Sequence, residues 1–176
     1  MLELPPIEKW SKHLTTFQYA NHIPATGFGP IYFEAIQSDT HTVINLDLSK
    51  IVAYWKSNNR YQRSPNVTSY SHDIPFNAEP DRLLKFTRLL REGSALPPIY
   101  VDLGFRQTVG FTDGRHRTVL LYLAGYTSIV ALVKKNEACT LGELLGTGSP
   151  DKRLYCNLSK PHMPKCRPPK IGAETV

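Results

Sequence analysis

Hydrophobic positions in this chain fall into short alternating runs and short helical stripes, separated by polar and proline-rich stretches. Ile31-Tyr-Phe-Glu-Ala-Ile36 and Thr42-Val-Ile-Asn-Leu-Asp-Leu48 read as a strand pair around a polar turn at Ser38-Asp39-Thr40. Ser49 is placed to cap a short helix through Ile51, Val52, Tyr54 and Trp55. From Lys56 to Asp73 the periodicity is lost, and the stretch reads as a long polar loop. A second helix opens near Pro80, repeats Leu83, Phe86, Leu89 and Leu90 at helical spacing, and exits at Gly93.

Leu96-Pro-Pro-Ile-Tyr-Val-Asp-Leu103 reads as a strand whose prolines sit at its leading end, where no ladder donor is lost. A turn at Gly104-Phe105-Arg106 leads into Gln107-Thr-Val-Gly-Phe-Thr112, the second strand of a hairpin. Thr118 to Ala124 is an apolar helix stopped by Gly125, and Ile129-Val-Ala-Leu-Val133 is a buried strand. Thr140-Leu-Gly-Glu143 has the capping-box spacing and opens a last brief helix. The order predicts a compact single α+β domain with a small mixed sheet and packed helices over residues 31–146. An N-terminal arm (1–30) precedes it, and an extended, basic, Pro-rich tail (147–176) follows.

The length of 176 residues suffices for a real core. The net charge of +6 and pI near 9.3 favour anionic partners. Much of that excess lies in the tail, where six Lys/Arg face only Asp151 and Glu174, so the folded part is close to neutral. Three cysteines without CxxC spacing and no secretory pattern point to a reducing compartment. No run approaches the roughly 20 apolar residues of a membrane span. The expected location is the cytoplasm.

The chemistry concentrates at Asp113-Gly114-Arg115-His116-Arg117, where a strand meets a helix. Three basic or potentially basic side chains in a first helical turn oppose the helix dipole, at roughly 0.3–1 kcal/mol each. A bound anion would remove that conflict, because the N–H groups of a helix start suit phosphate and arginine adds bidentate donors. Gly114 lets the backbone come close or take positive φ. Asp113 can hold an arginine, orient His116 or ligate a divalent metal, and His116 titrates near neutral pH. The bland alternative is an Asp-Gly hairpin turn with solvated arginines. Lys56, Arg60 and Arg63, interleaved with Trp55 and Tyr61, make either a nucleic-acid groove or a solvated basic loop. His72-Asp73 with Asp102 has no diagnostic metal spacing. Tyr100, Phe105 and Tyr122 read as core or rim aromatics, Glu143 as a cap and Cys139 as packing. Gly146-Thr-Gly-Ser-Pro150 lacks the Lys-Ser/Thr of a P-loop and reads as linker.

Taken in order, the proline-flanked strand at Leu96–Val101, the hairpin, Phe111-Thr-Asp-Gly-Arg-His-Arg-Thr118, the small helix ending at Ala124-Gly125-Tyr126, and Ile129–Val133 resemble the ParB/sulfiredoxin superfamily. Ile44-Asn-Leu-Asp-Leu-Ser-Lys-Ile51 resembles the segment that opens that fold, so the resemblance spans about residues 42–134. Within the superfamily the chain is most similar to the plasmid fertility-inhibition proteins of the Osa/FiwA type. That resemblance implies a plasmid-encoded protein that blocks conjugative or T-DNA transfer through a type IV secretion system. It also implies ATP hydrolysis and DNA cleavage, with DNA, nucleotide and the secretion coupling protein as partners. Recruitment by a partner to the inner face of the inner membrane is compatible with it. Arg115 stands where sulfiredoxins carry their catalytic cysteine, which argues against thiol repair. Arg115 also replaces the Glu of the ParB Gly-Glu-Arg-Arg turn, and the chain lacks room for a helix-turn-helix and dimerisation domain.

On this reading Arg115 and Arg117 hold phosphates, with Gly114 and Thr118 completing the phosphate site. His116 acts as general acid or base, and Asp113 orients it or holds Mg²⁺. Lys56, Arg60 and Arg63 contact DNA. The alternative is a non-catalytic module that binds the coupling protein or DNA.

Overall fold

The computed structural model describes residues 23–24, 27–57 and 79–156. Its elements run β1 (Ile31–Phe33), β2 (His41–Asp47), α1 (Leu48–Ser57), α2 (Pro80–Arg91), β3 (Ile99–Leu103), a 3₁₀ turn (Phe105–Gln107), β4 (Val109–Asp113), α3 (Arg115–Leu123), β5 (Ser128–Lys134), α4 (Ala138–Leu145) and β6 (Leu154–Cys156). The expected α+β class with a small mixed sheet is what these elements form.

The main sheet has the order β2-β5-β3-β4. β5 lies antiparallel to β2 and parallel to β3, and β3 pairs antiparallel with β4 as the expected hairpin. Register puts Ile44, Leu46, Ile129, Ala131, Val133, Ile99, Val101 and Phe111 on one face by strict alternation. All are buried, and α1, α3 and α4 pack against the strands that carry them. Trp55 of α1 meets Phe111 edge-on, with ring centroids 5.1 Å apart. Such a pair adds about 0.5–1.5 kcal/mol beyond its buried area.

Several local expectations change. β1 does not pair with β2; it pairs in parallel with β6 and bridges Leu96 on its other side. Leu96 N–H donates to Tyr32 O at 2.8 Å and its carbonyl accepts Glu34 N–H at 2.9 Å, which takes the edge that a β1–β2 hairpin would need. β6 at Leu154–Cys156 lies beyond Gly146, within the stretch read as tail. Asp47, not Ser49, caps α1: its Oδ1 accepts the N–H groups of Ser49 and Lys50 at 2.8 and 3.1 Å. α4 opens at Ala138, so Thr140 and Glu143 lie inside it and no capping box forms. Glu137 stands at the N-cap with no side-chain cap bond; its carboxylate instead takes Leu103 N–H and Lys134 Nζ. α3 begins three residues before the expected Thr118.

Residues 151–156 are tied to the domain by a clamp. Arg153 donates through Nε and Nη2 to both oxygens of Asp151, and Nη2 also reaches Gly125 O at 2.7 Å. Its guanidinium lies 4.0 Å above the Tyr126 ring. Tyr126 Oη in turn donates to Gly29 O and accepts Phe28 N–H.

Candidate functional site

β4 ends at Asp113, Gly114 turns the chain, and Arg115, His116 and Arg117 form the first turn of α3. Gly114 has φ +92°, and a Cβ there would collide with the side chain and backbone of Ile99 in β3. Both facts demand glycine, and both concern how α3 seats on the sheet.

The three basic side chains part company at this point. Arg117 points inward, with Nη2 2.9 Å from Asp113 Oδ2 and 3.4 Å from Pro98 O, and its Cζ 5.3 Å from the Phe86 centroid. Its side chain is 3% exposed. Thr118 is buried too, its hydroxyl donating to Gly114 O at 3.1 Å. Asp113 Oδ1 accepts Gly114 N–H at 2.7 Å, so this carboxylate serves the helix start and Arg117 together. The clash between basic residues and the helix dipole is thus met in part inside the chain, by a carboxylate at the positive end of α3. Of the roles open to Asp113, the geometry selects holding an arginine.

His116 is half-buried. Burial, and then the positive charge of Arg82 on α2, hold its pKa below the ordinary 6.5, so the ring is neutral at neutral pH. A neutral imidazole adds nothing to the dipole conflict and retains a basic nitrogen.

Arg115 is exposed and lines a cleft of about 330 Å³ together with Asp102, Gly104, Thr108, Gly110, Phe111 and Thr112. Strand alternation builds this surface: Asp102 faces Gly110 across the hairpin, and Thr112 lies two residues further along β4. Gly110 has no Cβ where the Asp102 carboxylate lies, and Thr112 Oγ1 donates to Asp102 Oδ1 at 3.3 Å. The cleft therefore sets a carboxylate and a guanidinium beside the start of α3.

Asp113, Gly114, Arg115, His116, Arg117 and Thr118 are brought together, but only Arg115 of this set reaches the cleft. Lys56 sits exposed at the last turn of α1 and does not line it. Arg60, Arg63, Tyr61, His72 and Asp73 lie outside the described residues. The cleft residues Asp102, Thr108 and Thr112 fall outside the phosphate site that the sequence predicts. Their signal is the polar phase of two alternating strands, opposite Val101, Val109 and Phe111. Among the described residues no three His, Cys, Asp or Glu side chains group as a metal cage, and no helix is long and apolar enough to cross a membrane.

No family model matches the chain, and no curated protein matches it in sequence. Among solved structures, the fold is similar to a gold(I) cyanide derivative of Oncogenic Suppression Activity protein, described as a plasmid fertility inhibition factor. The TM-score is 0.50 at 17% identity, and the likeness covers 65% of this chain. It covers 61% of the length of the other protein.

Proposed function

We propose that this chain is a fertility-inhibition factor that blocks conjugative or T-DNA transfer through a type IV secretion system. In this reading its cleft binds nucleotide phosphate during ATP hydrolysis and DNA cleavage. The observation that carries the reading is Arg115, in the first turn of α3, lining a cleft that Asp102 also lines. The likeness in fold to a plasmid fertility inhibition factor supports the biological role.

The roles divide by where the side chains point. Arg115 contacts phosphate and offsets developing negative charge. His116, half-buried and outside the cleft lining, helps position the first turn of α3 rather than touching the phosphate. Arg117, Thr118 and Gly114 position the turn from beneath. Mg²⁺ prefers one or two carboxylates plus substrate phosphates to an all-protein cage. That preference fits a site with one cleft carboxylate, so Mg²⁺ would arrive with ATP and meet Asp102, while Asp113 stays with Arg117. Bound there, the ion would supply charge neutralisation between phosphate oxygens. DNA, nucleotide and the secretion coupling protein are the proposed partners, met in the bacterial cytoplasm or at the inner face of the inner membrane.

The test is phosphate release and plasmid nicking by the full chain with ATP and Mg²⁺. Arg115→Ala is expected to lower turnover about 100-fold with an unchanged melting temperature. Equal activity in the variant and the parent sinks the catalytic assignment. The inward commitment of Arg117 and Thr118 favours a second reading, a non-catalytic module that occupies the coupling protein or DNA. Transfer inhibition that persists in an inactive Arg115→Ala strain selects that reading.

A further inference from the structure

The β3–β4 hairpin ends in a turn whose conformation and side chains have no role in the core. Arg106 and Gln107 are consecutive non-glycine residues in the left-handed region, at φ 56° and 57°. Two left-handed central residues, with Thr108 N–H donating to Phe105 O at 3.3 Å, are the type I′ pattern of a tight hairpin. Asn and Gly fill that pattern most readily, so Arg106 and Gln107 carry a modest conformational cost. Here the loop is closed by Gly104 N–H donating to Thr108 O at 2.7 Å, and by the Thr108 hydroxyl donating to Phe105 O at 2.9 Å. This geometry presents Phe105 to solvent. Its side chain is 83% exposed, the most exposed large hydrophobic among the described residues. The Arg106 guanidinium lies 5.3 Å from its ring centroid. Gly104 and Thr108, the hinges of the loop, both line the cleft that holds Arg115 and Asp102.

A phenyl ring exposed on a loop whose two ends line a polar cleft, with a guanidinium over it, has the chemistry that stacks on a nucleobase. We propose that Phe105, held out by the left-handed Arg106-Gln107 turn, is a stacking platform for the base whose phosphate enters the cleft. This rests on the reading of the cleft as a nucleotide-phosphate site, and adds to it the recognition of the base. The base belongs either to a free nucleotide or to a single DNA strand.

The experiment measures binding of a fluorescent ATP and of a labelled oligothymidine by the full chain, with tripolyphosphate as a base-free competitor. Phe105→Ala is expected to weaken nucleotide or oligothymidine about tenfold. Tripolyphosphate binding should stay within about twofold, since it offers nothing to stack. Phe105→Tyr should bind as the parent does, whereas Phe105→Leu should behave as Phe105→Ala does. A loss confined to ATP assigns the free nucleotide, and one confined to oligothymidine assigns the strand. Gln107→Gly relieves the left-handed strain, so its melting temperature should rise by about 2–4 °C while base affinity falls. Unchanged affinity in Phe105→Ala, beside a loss in Arg115→Ala, overturns the platform and leaves the phosphate site standing. Full retention in Phe105→Leu overturns it too, because apolar cover would then suffice. Binding that needs Phe105 but ignores Arg115 keeps the platform and sinks the phosphate reading. No binding of either probe by the parent chain overturns both.

Discussion

Asp113–Arg117 and Asp151–Arg153 are both close ion pairs, at 2.9 and 2.7 Å, and both fasten a turn to the domain. They are built in opposite senses. At the start of α3 the arginine side chain is 3% exposed and its carboxylate 72%. At the clamp before β6 the carboxylate is 7% exposed and the arginine 34%. In each pair the buried member depends on its partner, and the exposed member can fall back on water. The difference separates residues that hold the fold from those a ligand can reach. At the turn before α3, everything that faces inward belongs to the scaffold.

The first way to break this comparison is to remove the exposed partner of the buried cation. Asp113→Ala leaves the Arg117 charge between Phe86 and Pro98 without its carboxylate. The expected cost is about 3 kcal/mol, the low end of breaking a buried pair, because the lost partner was solvated. Arg117→Met should cost less, because methionine refills much of the space and Asp113 returns to water. Urea denaturation decides the order. A larger loss in Arg117→Met than in Asp113→Ala refutes the reading that the cation is the dependent member.

The mirror experiment is Asp151→Asn. Side-chain hydrogen bonds from Arg153, against the opposing effect of burial, hold the Asp151 carboxyl well below the usual carboxylate range. The amide cannot accept from Arg153, Thr127 N–H and Arg153 N–H in the way the carboxylate does. The expected loss is about 1–2 kcal/mol, since bonds to a charged group are weakened rather than a charge stranded. Protection of β6 amides from hydrogen exchange should fall before that of β5. Equal protection of the two strands would show that residues 151–156 do not depend on the clamp.

How much of this was legible in the chain depends on how local the signal is. The β3–β4 hairpin and α3 show because a period of two gives way to a helical stripe within one continuous stretch. The Asp113–Arg117 pair has i,i+4 spacing, which brings the two side chains together once the helix is known. Arg117 also lies three and four residues before buried Leu120 and Leu121, which places it on the inward face. By contrast, β1 and β6 are three residues each and meet across more than a hundred positions, so neither carries a readable period. The cleft was hidden for another reason. Its polar groups come from alternate positions of β3 and β4 and from the first turn of α3, and only the packing of that helix on the hairpin brings Asp102 and Arg115 to one cleft.

Acid titration sharpens the contrast by a smaller effect. His116 has a lowered folded pKa, so the unfolded chain binds its proton first as pH falls. Stability is therefore complete above 6.5 and begins to fall below it, through the folded value. Asp151 follows the same sign at lower pH: its contribution is present above 3.8 and is lost as pH drops further. Two separate steps are expected in stability against pH. His116→Gln should erase the upper step and leave the lower. An upper step that survives in this variant belongs to another group.

The smallest stability effect is expected at Arg115, and its size is what makes it informative. Arg115 shares the first turn of α3 with Arg117 and carries the same charge against the same dipole. If the turn were a uniform basic cluster, both arginines would answer alike to substitution. The geometry predicts instead that Arg115→Ala stays within about 0.5 kcal/mol of the parent, as exposed positions usually do. Removing a cation from the positive end of a helix can even raise stability by a few tenths of a kcal/mol. Nucleotide affinity should move the other way, since Arg115 is the guanidinium on the cleft wall. Urea denaturation and nucleotide binding on one preparation give both values. A loss of stability with no loss of binding would make Arg115 a second scaffold arginine, and the division between the inward and outward halves of this turn would fail.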